Sequence, residues 1–329
     1  MAGERLMAKE RTKAKSAFHY SAMEKSKFTF VYLLIALPVI QIAIFFFYSN
    51  MSAFALAFKN DAGEWSFQSI IRVYQAFATG EDHLGFNPLE LMGKSLTIWT
   101  IQHIIGFVIS ILTSYILTKH MIFSKFFRLV YYIPSIVGGV VFSIVMKEMY
   151  SYDGVVLKIL KSFGVTFDPL VNKNGLLGFQ GTAFKTLMVQ TLILAIAGGN
   201  MIMAGAYMRI PEEIFESAKL EGCGFMRETF QIAVPCAWPT LSTMTIFALC
   251  SIFTADCGMY LYSDGTGKFG MTSIGYYLYR YNVALTQASS GNHIYGYISA
   301  FGIFITAITI PLVLAGRKLL EKIQENVEF

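Results

Sequence analysis

Six apolar stretches, each of about 18 to 23 residues and none with a Lys or Arg inside it, constrain this chain more than any other feature: Phe28 to Tyr48, Ser95 to Leu117, Leu129 to Met146, Thr186 to Gly205, Cys236 to Asp256 and Ile294 to Leu314. As helices they are long enough to cross a hydrocarbon core of roughly 30 Å. No water reaches backbone groups there, so a spanning element is a helix or a strand of a closed barrel, and runs this long that do not alternate are helical. The chain has 329 residues, 55% of them hydrophobic and 14% charged, with a mean hydropathy of +0.53, too apolar for a soluble domain. The predicted fold is therefore an all-α, polytopic membrane protein with six transmembrane helices. Basic residues precede the first stretch, as in a secretory leader. It runs too long for the apolar region of a leader, however, and no small-residue cleavage site follows, so a retained anchor is expected.

The charges orient the chain. The net charge is +5 and the pI near 8.8, but Lys and Arg gather in the tail 1–27 and in short loops, which excludes a nucleic-acid partner. Sixteen of the 26 basic residues fall on the side of the tail 1–27, the loops 118–128 and 206–235 and the tail 315–329; ten fall on the other side, in longer loops. That bias predicts that both termini and the loop 206–235 are cytoplasmic, with a six-span domain over 28–314. Among the opposite loops, Tyr152 to Val165 has a helical apolar period and predicts a short amphipathic helix. The four cysteines have no metal-ligand spacing, and His103 has no partner at helical spacing, so no metal is expected. Two fragments approach a phosphate-binding loop but miss it: "LMGKS" has Pro88 where the first Gly belongs, and "GTGKF" has Phe269 after the Lys. No catalytic residue is expected in this chain.

One stretch breaks the apolar pattern. "PEEIFESAKLEGCGFMRETFQIAVP", Pro211 to Pro235, carries seven charged side chains. Pro211 suits a first helical position, Glu212 and Glu213 complement the positive end of the helix dipole, and Gly222 suits a left-handed stop. The predicted helix groups Ile214, Phe215 and Ala218 on one face and Glu213, Glu216 and Lys219 on another. It is either a surface loop lying on the membrane or a knob that fits a groove on a soluble partner.

Glu216, Ala218, Gly222, Ile232 and Pro235 stand at the spacing of the E-A-A loop of the permease subunits of bacterial ABC importers, which the stretch resembles. Ser217, Glu221 and Val234 depart mildly from that motif. "YGYISAFGIFITAITIPLVL" and "YYIPSIVGGVV" are similar to the last and third spans of the carbohydrate branch, the maltose-type permeases, and the N-terminal tail fits their first subunit. "LYSDGTGKFGMTS" and "MKEMY" depart from it, which bears on substrate more than on mechanism. The resemblance implies a type I importer fold in a bacterial plasma membrane. Its implied partners are a second permease, two ATP-binding subunits and an extracytoplasmic solute-binding protein. ATP and Mg would then be bound by the ATPase, with no cofactor in this chain. It also implies that Pro211, Glu213, Ile214, Phe215, Glu216, Ala218, Gly222 and Pro235 couple the permease to the ATPase, with Glu216 in ionic contact with it.

Polar residues within the spans are candidates for substrate or gate contact: Gln102, His103, Gln190, Asn200 and Asp256. Helix–helix hydrogen bonding is the plainer explanation for each. Sugars also favour aromatic platforms, and Tyr276 belongs to a cluster of tyrosines near the ends of the last spans. An oligosaccharide is the expected cargo. A polyol or glycerol-phosphate-like solute within the same family, or a gradient-driven secondary transporter, is the alternative.

Overall fold

The computed structural model describes residues 22–60, 63–82, 85–119, 122–255, 258–263, 270–287 and 293–325. Among these residues the secondary structure is helical apart from one isolated bridge between Lys59 and Trp65. Two compact units divide the chain at residues 56 and 57. The first holds α1, which runs from Ala22–Gln41 through a π turn at Ile42–Phe47 into Tyr48–Ala57. Its apolar part, Lys27–Ala57, is longer than the predicted Phe28 to Tyr48 and long enough to cross a bilayer.

The second unit is a bundle around two long helices, α3 (Pro88–Lys119) and α8 (Gln180–Tyr207). Small residues let these two approach closely. A Cβ added at Gly199 would fall 2.3 Å from Ser110 Oγ, and one at Gly106 would fall 2.7 Å from the Ala195 Cβ. Apolar tails in lipid offer helices little reason to associate, so this intimacy of backbone contact is what holds such a pair. The Asn87 side chain caps the start of α3, accepting from the amides of Leu89 and Glu90 ahead of Pro88. The helix therefore begins seven residues before the predicted span. Preceding it, α2 (Gln68–Thr79) is amphipathic and packs against α14 (His293–Glu325), which extends 11 residues beyond Leu314.

Two predicted spans differ from expectation. The third, Leu129 to Met146, is split into α4 (Ser124–Ile136) and α5 (Gly139–Met149), bent by 92°. Pro134 cannot donate to the helical ladder, and Gly138 and Gly139 tolerate the extended break. The fifth, Cys236 to Asp256, is reduced to α11 (Trp238–Cys250), which meets α10 (Phe225–Cys236) at 75° between Pro235 and Pro239. Among the described residues, four helices are thus long and apolar enough to cross a membrane alone, or six if each bent pair counts as one span. The predicted amphipathic helix over 152–165 is observed as α6 (Val155–Ser162), followed by α7 (Pro169–Asn174).

Three apolar clusters organise the second unit. One, around Leu157, Leu187, Met259 and Tyr276, joins α6 to α8 and to α12 (Met259–Tyr262). Another, around Leu91, Tyr277, Tyr297 and Phe301, joins α3, α13 (Ile274–Gln287) and α14. A third, around Tyr115, Tyr207, Phe215 and Leu241, lies at the other end of α3 and seats the charged loop.

Candidate functional site

The helix of the charged loop, α9, spans Glu212–Leu220. Pro211 stands one residue earlier than expected, as the residue before the first helical turn, with φ −56° and ψ 140°. Its fixed φ suits that place equally well. At the far end Gly222 has φ +76°. Its amide donates to the Lys219 carbonyl at 3.0 Å, and the Cys223 amide donates to the Ala218 carbonyl at 3.0 Å. These two bonds form a Schellman stop, which needs a left-handed residue at Gly222.

Phe215 and Ala218 turn inward, 3% and 7% exposed. Ile214, expected to share that face, is instead 39% exposed. Its position four residues before Ala218 is offset enough from Phe215 to leave it at the edge of the apolar stripe. Glu213, Glu216 and Leu220 point outward, Leu220 almost fully exposed at 90%. Beneath the helix, the Phe215 ring lies 6.2 Å from that of Tyr115 and 4.5 Å below the Lys119 ammonium, which also stands 3.7 Å from Glu212. The Tyr115 hydroxyl donates to Glu228 Oε1 at 2.5 Å. Half-buried Pro235 closes α10 just before the bend. The loop is therefore a capped, seated projection with acidic and apolar groups on its free side.

The residues proposed for the path through the membrane occupy several environments. Asn200 accepts from Thr113 at 3.0 Å and donates to the Ile196 carbonyl at 2.8 Å, tying α8 to α3. Gln190 donates to the Tyr262 hydroxyl, tying α8 to α12. Both are buried; helix–helix bonding accounts for Asn200, whereas the Gln190 Oε1 is buried with no hydrogen-bond partner. Tyr276 is fully buried in the cluster around Leu157. Gln102 and His103 lie half-buried on a π turn, Thr100–Ile105, where His103 stacks on Trp99 at 5.6 Å. His103 and Trp99 also line an apolar cavity of about 280 Å³ between α3 and α11, bridged by the Trp99 indole donating to the Ala248 carbonyl at 2.7 Å. Asp256 lies outside the described residues.

This architecture has solved counterparts. The chain superposes on a subunit of a bacterial alginate ABC transporter in complex with an alginate pentasaccharide-bound periplasmic protein, with a TM-score of 0.73. The match covers 92% of this chain and 98% of that one at 18% identity, a likeness of fold. No family model matches the sequence. Among individual relatives, the arabinooligosaccharides transport system permease AraP of Bacillus subtilis is 26% identical over 296 residues, covering 88% of this chain and 87% of its own. The multiple sugar-binding transport system permease MsmF of Streptococcus mutans is 22% identical over 274 residues, covering 82% and 88%. The chain is thus similar in sequence to permeases of sugar ABC import systems.

Two buried polar residues, Tyr115 and Glu228, are not among those expected from the sequence. Tyr115 sits in the last turns of an apolar run, where tyrosine is common. Glu228 offered a better signal: it is the one acid in "FMRETFQIAVP" after the helix stop, facing a run of apolar residues.

Proposed function

We propose that this permease is one of two membrane subunits of an importer that carries a neutral oligosaccharide across a bacterial plasma membrane. An extracytoplasmic binding protein delivers the sugar, and two separate ATPase subunits drive the movement. The end bearing α9 faces the cytoplasm, as the excess of Lys and Arg on that side favours. The observation that carries the reading is α9 itself, fixed at both ends, seated by Phe215 and free on the side of Glu213, Glu216 and Leu220. Such a helix fits a groove on a partner as a rigid body, which a pliable loop would not.

Sugars are the cargo named for MsmF and AraP, and alginate, an acidic polysaccharide, is that of the fold neighbour. A neutral glycan is favoured here because the stretches 95–118, 139–146, 186–207, 238–250 and 294–316 contain no Lys or Arg. Lys94, just outside them, is engaged by Glu90 at 2.6 Å and by Thr272 at 3.1 Å.

The test is mild solubilisation and capture through a C-terminal tag, followed by uptake into vesicles of labelled arabinotriose, maltotriose and trigalacturonate. Recovery of a P-loop ATPase and a second permease, with ATP-dependent uptake of a neutral trisaccharide, is the expected result. Uptake of trigalacturonate alone would overturn the substrate class. Transport by the isolated chain under an ion gradient would overturn the mechanism.

A further inference from the structure

Tyr115 is fully buried, yet it touches three elements around the seat of α9. Its ring meets Tyr207 of α8 edge-on at 5.5 Å, Phe215 of α9 at 6.2 Å and Phe225 of α10 at 5.8 Å. Its own helix, α3, runs from here past the cavity at Trp99 and His103 to the opposite end of the bundle. The hydroxyl bond to Glu228 therefore joins the long axis of the bundle to the segment that follows the coupling helix.

Glu228 is the unexpected partner. Its side chain is 3% exposed in a cluster of aromatic and aliphatic groups, where a carboxyl costs stability and an alkyl side chain would not. The nearby ammonium of Lys119 is directed to Phe215 and Glu212. Glu228 also opens a π turn, Glu228–Ala233, a local widening of the helix that recurs at functional positions. Apolar surfaces can slide past one another with little change in energy. A short hydrogen bond to a buried carboxyl cannot, because separation leaves both groups desolvated and unpaired. The pair thus behaves as a pin between surfaces that would otherwise slip.

We propose that the Tyr115–Glu228 bond is the link through which movement of α9 and α10 is imposed on α3, making both residues positioning residues for transport. The proposal rests on the coupling role assigned to α9 above. Without the pin, closure of the ATPase moves α9 without reorganising the membrane helices, and hydrolysis no longer waits for a loaded binding protein.

The experiment measures ATP hydrolysis per assembled complex, in lipid nanodiscs with neither sugar nor binding protein present. Tyr115→Phe and Glu228→Leu are expected to raise this idle hydrolysis about fivefold or more, the lower end of typical coupling between sites. Glu228→Gln keeps an acceptor for the hydroxyl and is expected to restore restraint. A purely structural role would lower the yield of complex and leave hydrolysis per complex unchanged, so equal rates in Tyr115→Phe and wild type would overturn the link. Idle hydrolysis raised equally in Glu228→Gln and Glu228→Leu would also overturn it. If the wild-type chain brings down no ATPase, the coupling reading falls and the link falls with it; rates that match in an intact complex sink the link alone.

Discussion

The two ends of α3 carry the same chemistry for different purposes. At one end the Tyr115 hydroxyl donates to Glu228; before the other, the hydroxyls of Tyr277 and Tyr281 both donate to Asp82, the latter at 2.7 Å. The Asp82 junction ties the segment between α2 and α3 to α13, with Tyr297 3.3 Å from Tyr277 on α14. It gathers connecting segments into one block. The Glu228 junction sits under a projecting helix whose free face has charged and apolar groups and whose seated face is Phe215 and Ala218, with Lys119 beside it. A tyrosine–carboxyl contact is thus a staple where it joins connecting segments, and a pin where one neighbour is a lever.

The comparison breaks most readily at Phe215. Phe215→Ala empties the seat of α9 and is expected to cost about 3 to 5 kcal/mol, read as a fall in thermal unfolding temperature and in ATPase recovered with the complex. An unfolding temperature near wild type would mean that α9 is held by something other than this ring. At the opposite end, Asp82→Asn should lower stability by about 1.5 to 3 kcal/mol while hydrolysis per complex stays constant. A change in idle hydrolysis there would erase the difference between staple and pin.

The same junction sets a pH response. Burial, with the hydrogen bonds to Asp82, pushes the Tyr277 and Tyr281 hydroxyls above their ordinary value of 10.0. The folded form thus holds their protons more tightly than the unfolded one. Its contribution is complete below the ordinary value and is lost as pH rises through the elevated one. Stability should decline as pH climbs above about 10, and less steeply in Tyr281→Phe.

Gly222 sharpens the lever. A Cβ there meets nothing within 4 Å, so φ +76° is the whole obstacle to substitution. Gly222→Val is expected to cost about 1 to 2 kcal/mol and abolish uptake with normal membrane insertion, whereas Gly222→Asn, at ease in a left-handed turn, should retain uptake. Equal uptake by both would remove the stop from the mechanism. The smallest effect belongs to Glu212→Gln. Its contact with Lys119 is exposed on the Glu212 side, and stability should shift by less than about 0.5 kcal/mol.

Apolar length and the absence of interior charge foretold the helical class, and the caps of α9 were readable because Pro211 and Gly222 act locally on the backbone. The break in the third span was half visible in Pro134 and the pair Gly138 and Gly139, residues that permit a bend without dictating its angle. What stayed hidden was long-range. Tyr115 and Glu228 are 113 residues apart. Nothing in either local stretch marks them as partners, since three helices must close before the hydroxyl finds its acceptor. Polarity marks a buried bond as readily as a binding surface, and only packing shows that Asn200 is bonded to Thr113.

The break between α4 and α5 has a consequence for the bundle's surroundings. α4 starts soon after α3 ends, and its apolar part from Leu129 carries the chain about 12 Å before the bend, well inside a hydrocarbon layer of roughly 30 Å. A helix end there bares carbonyls that acyl chains cannot satisfy. Gly138 and Gly139 are exposed in the isolated chain and leave the break unshielded. That wall must be wetted or covered by protein, and annular lipid belongs on the other sides of the bundle.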